Sequence, residues 1–343
     1  MKKIFVNLNK NSYDILLEKG GLSCIGERVR PLVSGKKVLV VTDDNVAKFY
    51  LDTVCKSFAK AGFEVASKVL PAGEKSKNPK TYLDIIDALG KNEYLRDDTV
   101  VALGGGVVGD IAGFAAATYM RGVNLVGVPT SLLAMIDSSI GGKVGVDLPY
   151  GKNLLGAFYQ PKLVFVDVNA LDTLPECEWQ NGLGEGLKYA LLEGGRLFEI
   201  MNDMRVKENI EEFVALCAAN KAGIVEQDER EAGLRRLLNL GHTLGHAIEK
   251  KSDFSIPHGE AVKYGLKLIL QASIKLGGKG LNKAVELVEK YGADLPFETC
   301  DLLPLIRNDK KAENDSINAV FVKEIGNCYV KKMSFEEFKE LFD

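Results

Sequence analysis

Every histidine of this 343-residue chain lies in one stretch, "NLGHTLGHAIEKKSDFSIPHGEAV", which spans residues 239 to 262. His242 and His246 are four residues apart, a spacing that places two side chains on one face of a helix, and His258 follows later in the same stretch. Imidazole is the commonest metal ligand in proteins, and two histidines one helical turn apart can bind the same Zn²⁺ ion. The stretch therefore predicts a metal site.

A helix predicted over residues 232–250 would carry the first two histidines on a polar stripe. The stripe consists of Arg235, Asn239, His242, His246 and Glu249, within roughly 80° of arc at about 100° per residue. The alternative is that one or two histidines only make hydrogen bonds where the helix packs. That alternative does not explain why a chain with three histidines places them all beside an arginine and an asparagine.

A carboxylate for the same ion is available in "QNGLGEGLKYALL", which reads as another helix. It contains Glu185, with Lys188 one turn further on. A carboxylate combined with imidazoles suits Zn²⁺ or a similar divalent ion.

A second feature with chemical potential is "TVVALGGGVVGDIAGF", which reads as a buried strand, a glycine turn and the start of a helix. Its glycines have the G-x-G-x-x-G spacing, at Gly104, Gly106 and Gly109. Backbone N–H groups at such a helix N-terminus can bind a diphosphate. The acidic residue that usually ends the next strand and binds the ribose is absent, so we expect Asp43 and Asn45 after the first strand to take that role. The alternative is that the glycines only permit tight packing of helix on sheet.

The elements that position these residues differ between the two halves of the chain. From residue 36 to about 170, short β-branched runs alternate with amphipathic stretches, which predicts a parallel sheet covered by helices. Helical periodicity dominates thereafter, over residues 176–202, 209–227, 232–250, 259–276 and 281–292. We therefore expect a Rossmann-like α/β domain over residues 1–174, followed by a mostly α-helical metal domain over residues 175–343.

Composition excludes several classes of partner. A net charge of −3 without any basic run argues against nucleic acid, and the absence of a long apolar stretch argues against a membrane span or signal peptide. The six cysteines are scattered without paired spacing, as in a cytoplasmic protein whose thiols are mostly buried. We expect a folded cytoplasmic protein that binds small molecules.

Taken together, the motifs resemble those of the 3-dehydroquinate synthases, which are sugar phosphate cyclases of the shikimate pathway. The matching stretches lie between about residue 40 and residue 311, and they are "PAGEKSK", "GGGVVGDIAGFAAATYMRG", "VPTSLLAMIDSSIGGKVGVD", "GKNLLGAFYQP", "TLP", "GLGEGLKYALL", "RRLLNLGHTLGHAIE", "PHGEAV" and "DKK". The resemblance implies conversion of 3-deoxy-D-arabino-heptulosonate 7-phosphate into 3-dehydroquinate and phosphate, with NAD and a divalent metal, Zn²⁺ or Co²⁺.

The resemblance also implies a role for individual residues. The metal ligands would be Glu185, His242 and His258, which leaves His246 to face the substrate. Cofactor contacts would be Asp43, Asn45, Glu74, Lys77, Gly105, Gly106, Val107, Gly109, Asp110, Thr130, Ser131, Lys152 and Thr173. Substrate contacts and catalytic groups would be Arg121, Asp137, Lys143, Asn153, Lys188, Lys221, Arg235, Asn239, His246 and a lysine of "DKK", Lys310 or Lys311. Arg121 would reach the phosphate in the neighbouring subunit of a homodimer.

Two features qualify this resemblance. Ser131 stands where the family more often has threonine, and Gly184 and Gly186 flank Glu185 where alanine and valine are more usual, which predicts a looser ligand helix. The competing functions are an NAD- and metal-dependent polyol dehydrogenase, a cyclitol-forming cyclase and a non-catalytic nucleotide sensor. Glu185 as the acidic ligand argues against the first, Arg235, Asn239 and His246 argue against the second, and the metal ligands argue against the third.

Overall fold

The computed structural model describes residues 1–294, 297–309 and 316–342, and the chain divides into two compact units. The first unit comprises Met1–Pro175 together with Lys221–Glu226, and the second comprises Glu176–Asn220 together with Gln227–Asp343. The boundary after Pro175 is one residue beyond the position expected from the sequence. The return of a short later segment to the first unit was not expected.

A seven-stranded sheet forms the centre of the first unit. Its strands are β1 (Lys2–Val6), β2 (Tyr13–Leu17), β3 (Lys37–Asp43), β4 (Glu64–Leu70), β5 (Thr99–Gly104), β6 (Asn124–Pro129) and β9 (Leu163–Val166), in the order β1-β2-β9-β6-β5-β3-β4. Neighbouring strands in this order are parallel, except that β1 pairs with β2 in the antiparallel direction. The parallel sheet confirms the prediction. The hairpin β1–β2 and a separate antiparallel hairpin, β7 (Lys143–Leu148) with β8 (Gly151–Phe158), were not predicted.

Helices cover both faces of this sheet. They are α1 (Ile25–Val29), α2 (Asp44–Val46), α3 (Asp52–Lys60), α4 (Pro79–Lys91) and α5 (Gly106–Thr118). Successive residues of a strand point to opposite faces, so Val38 and Val40 of β3 pack in one cluster with Phe58 of α3. Leu39 packs in the other cluster with Ile111 of α5.

The strand order reverses at β3, which positions the predicted cofactor residues. The chain passes from β3 to β4 on one side and then to β5 on the other. Ligands of open α/β sheets bind in the crevice outside the carboxyl ends of strands at such a reversal. Asp43 ends β3 and Gly104 ends β5, so both lie at the edge where a dinucleotide is expected.

The second unit is mostly helical, as predicted. Its helices are α6 (Glu176–Glu193), α7 (Gly195–Asn202), α8 (Ile210–Gln227, partly in the first unit), α9 (His242–Lys251), α10 (His258–Lys275), α11 (Asn282–Lys290), α12 (Thr299–Asp309) and α13 (Phe335–Glu340). Helix α10 is central and packs against α6, α9 and α11. An antiparallel hairpin of β10 (Ser316–Glu324) and β11 (Asn327–Ser334) was not predicted. Within the described residues, no helix has both the length and the apolar character that crossing a bilayer requires.

Two of the predicted helices are interrupted at glycines. The helix expected over residues 176–202 breaks at Gly194, where φ is 70°. The prediction of one helix over residues 232–250 is wrong for its first half, because Leu234–Asn239 form a 3₁₀ turn. Gly241, with φ of 79°, then redirects the chain before α9 begins. An L-residue rarely adopts this left-handed conformation, so the predicted continuous stripe does not exist.

Candidate active site

Three helices of the second unit bring Glu185, His242 and His258 together. Glu185 lies in the middle of α6, and the two histidines are the first residues of α9 and α10. Glu185 Oε1 lies 3.2 Å from His242 Nε2 and 3.1 Å from His258 Nε2. One donor atom from each residue can be chosen so that all three lie within 4.8 Å of one another.

The other ring nitrogen of each histidine faces an acceptor. His242 Nδ1 lies 3.1 Å from the carbonyl oxygen of Leu240, and His258 Nδ1 lies 3.4 Å from Glu249 Oε2. A neutral imidazole that donates from Nδ1 presents a lone pair at Nε2, so both lone pairs point toward the Glu185 carboxylate. Only a cation between these groups makes that arrangement favourable.

The donor set fits a divalent metal. Two ligands at bond lengths of about 2.0–2.1 Å from a tetrahedral ion are separated by about 3.3 Å, which is close to the two distances at Glu185 Oε1. Without metal, protons take the cation's place: loss of solvation acts to lower the pKa of His258, but hydrogen bonds to Glu185 and Glu249 outweigh it and raise the pKa to about 10. Metal binding must displace such protons.

Glu185 remains ionised despite its burial. Its side chain is 1% exposed, and Lys188 Nζ lies 2.5 Å from its Oε2. Burial acts to raise the pKa of Glu185, but the charges of Lys188 and His242 outweigh it and hold the pKa well below the ordinary value. A buried carboxylate kept charged in this way suits a metal ligand.

The glycines beside Glu185 tighten the packing of its helix, contrary to the expectation of a looser one. A Cβ on Gly184 would overlap the main-chain oxygen of Gly259 and would lie 2.6 Å from its carbonyl carbon. A Cβ on Gly186 would lie 2.7 Å from the ring of Phe213. Both glycines are buried, and Gly184 allows α6 to approach the backbone at the start of α10.

All three imidazoles cluster, which accounts for their concentration in one stretch of sequence. The ring centroids of His242 and His258 are 5.2 Å apart, and His246 lies 5.6 Å from His242 and 6.1 Å from His258. His246 shares helix α9 with His242 but is exposed. Its position beside the metal ligands, without the same burial, suits a group that faces the substrate.

Arg235 and Asn239 both lie in the 3₁₀ turn that precedes α9 in the second unit. The carboxylate of Asp228 accepts hydrogen bonds from the backbone N–H groups of Ala232, Gly233 and Arg235, at 2.9, 2.7 and 3.0 Å. The Arg235 side chain is 1% exposed and donates to the Glu229 carbonyl oxygen. Asp228 therefore fixes the backbone from which Arg235 projects. Sequence reasoning missed it, although an aspartate before a glycine-containing turn is a usual signal.

The polar partner of Asn239 is also local. Its Nδ2 donates to Glu231 Oε1 at 3.0 Å, and Glu231 adopts a left-handed backbone conformation with φ of 61°. Such a conformation is uncommon outside glycine and recurs at functional sites.

The predicted cofactor residues of the first unit lie around the glycine loop. Gly105 caps α5, and Thr130 N–H donates to the Gly104 carbonyl at 3.0 Å. A cavity between β5, β6 and β7 is lined by Gly104, Gly105, Gly109, Asp110, Ser138 and Lys143. The structure thus combines predicted cofactor residues with one predicted substrate residue, Lys143.

Several of these residues pair with one another. Lys77 Nζ lies 2.6 Å from Asp110 Oδ2, and Lys152 Nζ lies 3.8 Å from Glu74 Oε1. Burial raises the pKa of Asp110, although Lys77 acts in the opposite direction. Thr173 Oγ1 lies 2.7 Å from the hydroxyl of Tyr50.

Asp43 ends β3, which is the third strand and not the first, and Asn45 lies in α2 directly after it. Asp43 has a structural task. Its Oδ1 accepts from the backbone N–H groups of Asn45 and Val46, at 2.9 and 3.0 Å, and so caps α2. Ser131 follows Thr130 after β6, and Val107 lies in the first turn of α5.

The remaining predicted residues occupy three places. Lys221 Nζ lies 2.8 Å from the main-chain oxygen of Asp137 and 3.1 Å from its Oδ1, within the first unit. Asn153 has φ of 57° in β8, and its backbone N–H donates to Asp147 Oδ1 at 2.7 Å. Arg121, with φ of 64°, is exposed after α5 and does not line the cavity. Lys310 and Lys311 lie outside the described residues.

Comparison with known proteins identifies the family of the chain. Residues 67–181 match the model of the 3-dehydroquinate synthase N-terminal domain, and residues 182–312 match the model of its C-terminal domain. The 3-dehydroquinate synthase of Clostridium acetobutylicum is 44% identical over 350 aligned positions, which cover 98% of each chain. The chain belongs to the 3-dehydroquinate synthase family. Its resemblance to these synthases in sequence motifs is thereby confirmed.

Solved structures with the same fold include other sugar phosphate cyclases. A 2-deoxy-scyllo-inosose synthase in complex with carbaglucose-6-phosphate, NAD⁺ and Co²⁺ superposes with a TM-score of 0.88 at 24% identity, covering 99% of each chain. A 2-epi-5-epi-valiolone synthase from Streptomyces hygroscopicus with NAD⁺ and Zn²⁺ gives a TM-score of 0.84 at 24% identity, covering 99% of this chain and 96% of its own. At 24% identity, these two matches show that the fold is shared.

Proposed function

We propose that the chain is a 3-dehydroquinate synthase, a lyase that converts 3-deoxy-D-arabino-heptulosonate 7-phosphate into 3-dehydroquinate and inorganic phosphate. The observation that carries the proposal is the donor set of Glu185, His242 and His258, built around the buried Glu185 carboxylate, at the positions that the family's motifs specify. The overall reaction comprises oxidation at carbon 5, β-elimination of phosphate, reduction, ring opening and an intramolecular aldol closure. The oxidation and the reduction cancel, so there is no net redox change.

The metal and the dinucleotide have separate proposed sites on this chain. Glu185, His242 and His258 would hold Zn²⁺ or Co²⁺, which supplies Lewis-acid polarisation of substrate hydroxyl groups. The glycine loop and the residues that follow β3 would hold NAD, which supplies a reversible hydride acceptor. The residues at both sites suit NAD and a divalent metal as cofactors. Proteins of the same fold were crystallised with NAD⁺ and with Co²⁺ or Zn²⁺.

The chain's own residues bind and orient a substrate with two anionic groups. Arg235 offers a planar guanidinium that suits the carboxylate, and Asp228 fixes the backbone from which it projects. Lys143, in the wall of the cavity, and Lys221, held by Asp137, supply further positive charge. Lys188 lies against Glu185 and compensates its charge, and His246 faces the substrate from the exposed side of α9.

A direct assay tests this function. The protein is incubated with the heptulosonate phosphate, a catalytic amount of NAD⁺ and Zn²⁺, and phosphate and NADH are followed together. We expect many phosphates released per NAD⁺ supplied, without accumulation of NADH. NADH formed in proportion to the substrate consumed, or a preference for an uncharged polyol, would instead identify a dehydrogenase.

We further propose that the enzyme acts as a homodimer in which Arg121 serves the partner subunit's site. The support is that Arg121 is exposed in a left-handed conformation beside Met120, which is 43% exposed. The hairpin β7–β8 also exposes Leu154 by 60% and Phe158 by 45%, and apolar side chains exposed close together on one element are typical of an interaction surface. Mixing Arg121→Ala and His246→Ala proteins under conditions of subunit exchange should restore part of the activity. Failure to restore activity in mixed dimers would place Arg121 in its own subunit's site.

A cytoplasmic location is part of the same proposal. All six cysteines lie among the described residues, and no disulfide joins any two of them. Reduced cysteines suit a reducing compartment, where a small-molecule biosynthetic enzyme needs neither nucleic acid nor a membrane as partner.

A further inference from the structure

Glu249 is a buried carboxylate whose place in the site is not explained by metal ligation or by substrate binding. It lies on α9, seven residues after His242, and therefore on the same face of that helix. Its side chain is 7% exposed, and its Oε2 lies 3.4 Å from Nδ1 of His258, the first residue of α10.

A carboxylate this deeply buried is unfavourable unless it is hydrogen-bonded to donors. His258 Nδ1–H is such a donor, and a hydrogen bond at Nδ1 leaves Nε2 as the lone-pair nitrogen. Nε2 is the atom that faces Glu185 Oε1, at 3.1 Å. The contact with Glu249 therefore selects the tautomer and the ring orientation that a metal requires.

The two histidines are held in different ways. His242 donates from Nδ1 to the main-chain carbonyl of Leu240, an acceptor that the fold supplies whatever the side chain there. His258 is 32% exposed against 12% for His242, so its ring has more space in which to turn. Because packing restrains the His258 ring less than the His242 ring, a side-chain acceptor contributes more to holding His258 in place.

Resting on the metal site of the proposed function, we propose that Glu249 is the positioning residue of His258, holding its imidazole so that Nε2 binds the divalent metal together with Glu185 and His242. The carboxylate also makes the imidazole a stronger ligand, because it stabilises positive charge on the ring.

Glu249 could alternatively ligate a metal directly, since its carboxylate, His246 and His258 also offer donor atoms within 4.8 Å of one another. The geometry favours the positioning role. Glu185 Oε1 lies within 3.2 Å of two imidazole nitrogens, whereas Glu249 Oε2 lies 3.4 Å from Nδ1 of His258, the opposite ring nitrogen. The group of His246, Glu249 and His258 also includes an exposed residue, His246.

The test compares Glu249→Gln and Glu249→Leu with a matched control, Glu260→Gln. Glutamine keeps an oxygen that can accept from Nδ1, whereas leucine removes the acceptor at similar volume. Glu260 lies on α10 two residues after His258, but its carboxylate is held by Lys263 Nζ at 2.6 Å. Metal-free full-length proteins are titrated with Zn²⁺ against a chelator of known affinity, and with Co²⁺ followed by its visible absorption spectrum.

We expect Glu249→Leu to weaken Zn²⁺ binding by about 10- to 100-fold, as loss of such partners typically does. Glu249→Gln should weaken it less, and Glu260→Gln should leave it unchanged. The Co²⁺ spectrum of Glu249→Leu at saturation should retain the wild-type ligand number and a stoichiometry of one metal.

Two results would overturn the inference. Wild-type affinity in Glu249→Leu, with only the unfolding midpoint of the metal-free protein lowered, would mean that Glu249 merely supports packing. A change of ligand number in the Co²⁺ spectrum would make Glu249 a ligand. By contrast, a wild-type protein that binds neither ion would remove the metal site of the proposed function itself.

Discussion

The tight packing at Gly184 makes a quantitative prediction in which two opposing effects compete. Replacing glycine by alanine within a helix normally stabilises it by about 0.5–1 kcal/mol. At Gly184 the new Cβ would overlap the main-chain oxygen of Gly259, and overpacking of a well-packed interior costs about 1–3 kcal/mol. Because backbone yields less than a side chain, we expect the upper part of that range and a net destabilisation of about 1–2 kcal/mol for Gly184→Ala.

Two other glycines provide a graded comparison. At Gly186 the obstacle is the side chain of Phe213, 2.7 Å from the new Cβ, which can shift, so Gly186→Ala should change stability by less than about 1 kcal/mol. Gly90 in α4 is exposed and a Cβ there meets nothing within 4 Å, so Gly90→Ala should stabilise by about 0.5–1 kcal/mol.

The measurements are urea unfolding followed by circular dichroism and competitive Zn²⁺ titration. Gly184→Ala should also weaken Zn²⁺ binding, because separating α6 from α10 moves Glu185 away from His258. The two other variants should bind Zn²⁺ as the wild type does. Gly184→Ala as stable as Gly90→Ala, with unchanged Zn²⁺ affinity, would refute the packing argument.

Three further outcomes are expected. His258→Ala should lose metal and activity, whereas His246→Ala should keep one metal equivalent by atomic absorption and lose activity; the reverse pattern would show that the ligands are misassigned. Asp228→Ala should weaken substrate binding by about 1–3 kcal/mol, if one charged hydrogen bond of Arg235 is lost, and should leave the Zn²⁺ affinity unchanged. An unaltered substrate affinity, measured by calorimetry, would contradict this prediction. Gly106→Val should raise the NAD dissociation constant without changing metal content, because even its Cβ would lie 3.1 Å from Ser138 Oγ; a folded variant with normal NAD affinity would remove the loop from the cofactor site.

The sheet of the first unit was predictable because its strands are short β-branched runs between amphipathic segments. In "KKVLVV" and "DTVVAL" the run is apolar throughout, as expected for strands covered on both faces, and β3 and β5 are buried over most of their length. The hairpin β7–β8 was not predicted. Strand β7 does alternate in sequence, but β8 contains Gly156 and exposes Leu154 and Phe158, so the second strand lacks the alternation that marks a half-buried hairpin.

The metal site was only partly predictable from the residues alone. The helical spacing of His242 and His246 favoured them as a ligand pair, and it was the resemblance to the family that assigned Glu185, His242 and His258. Apolar periodicity continues from Leu234 to Ile248 and gave no sign of a break, although Gly241 has a left-handed conformation in which a Cβ would lie 2.8 Å from the side chain of Leu266 in α10. The contact of Glu249 with His258 likewise joins two helices and leaves no signature in local sequence.

The assignment of Lys221–Glu226 to the first unit has a consequence for anyone dividing this gene. A fragment ending at Pro175 would contain the whole seven-stranded sheet but would lack Lys221, whose ammonium group contacts both the main-chain oxygen and the carboxylate of Asp137. The first unit is thus discontinuous in the polypeptide. A truncated protein, or a chimera that takes the first unit from this chain and the second from a relative, would have to include this six-residue segment. Otherwise the lysine that contacts Asp137 would have to come from the other protein.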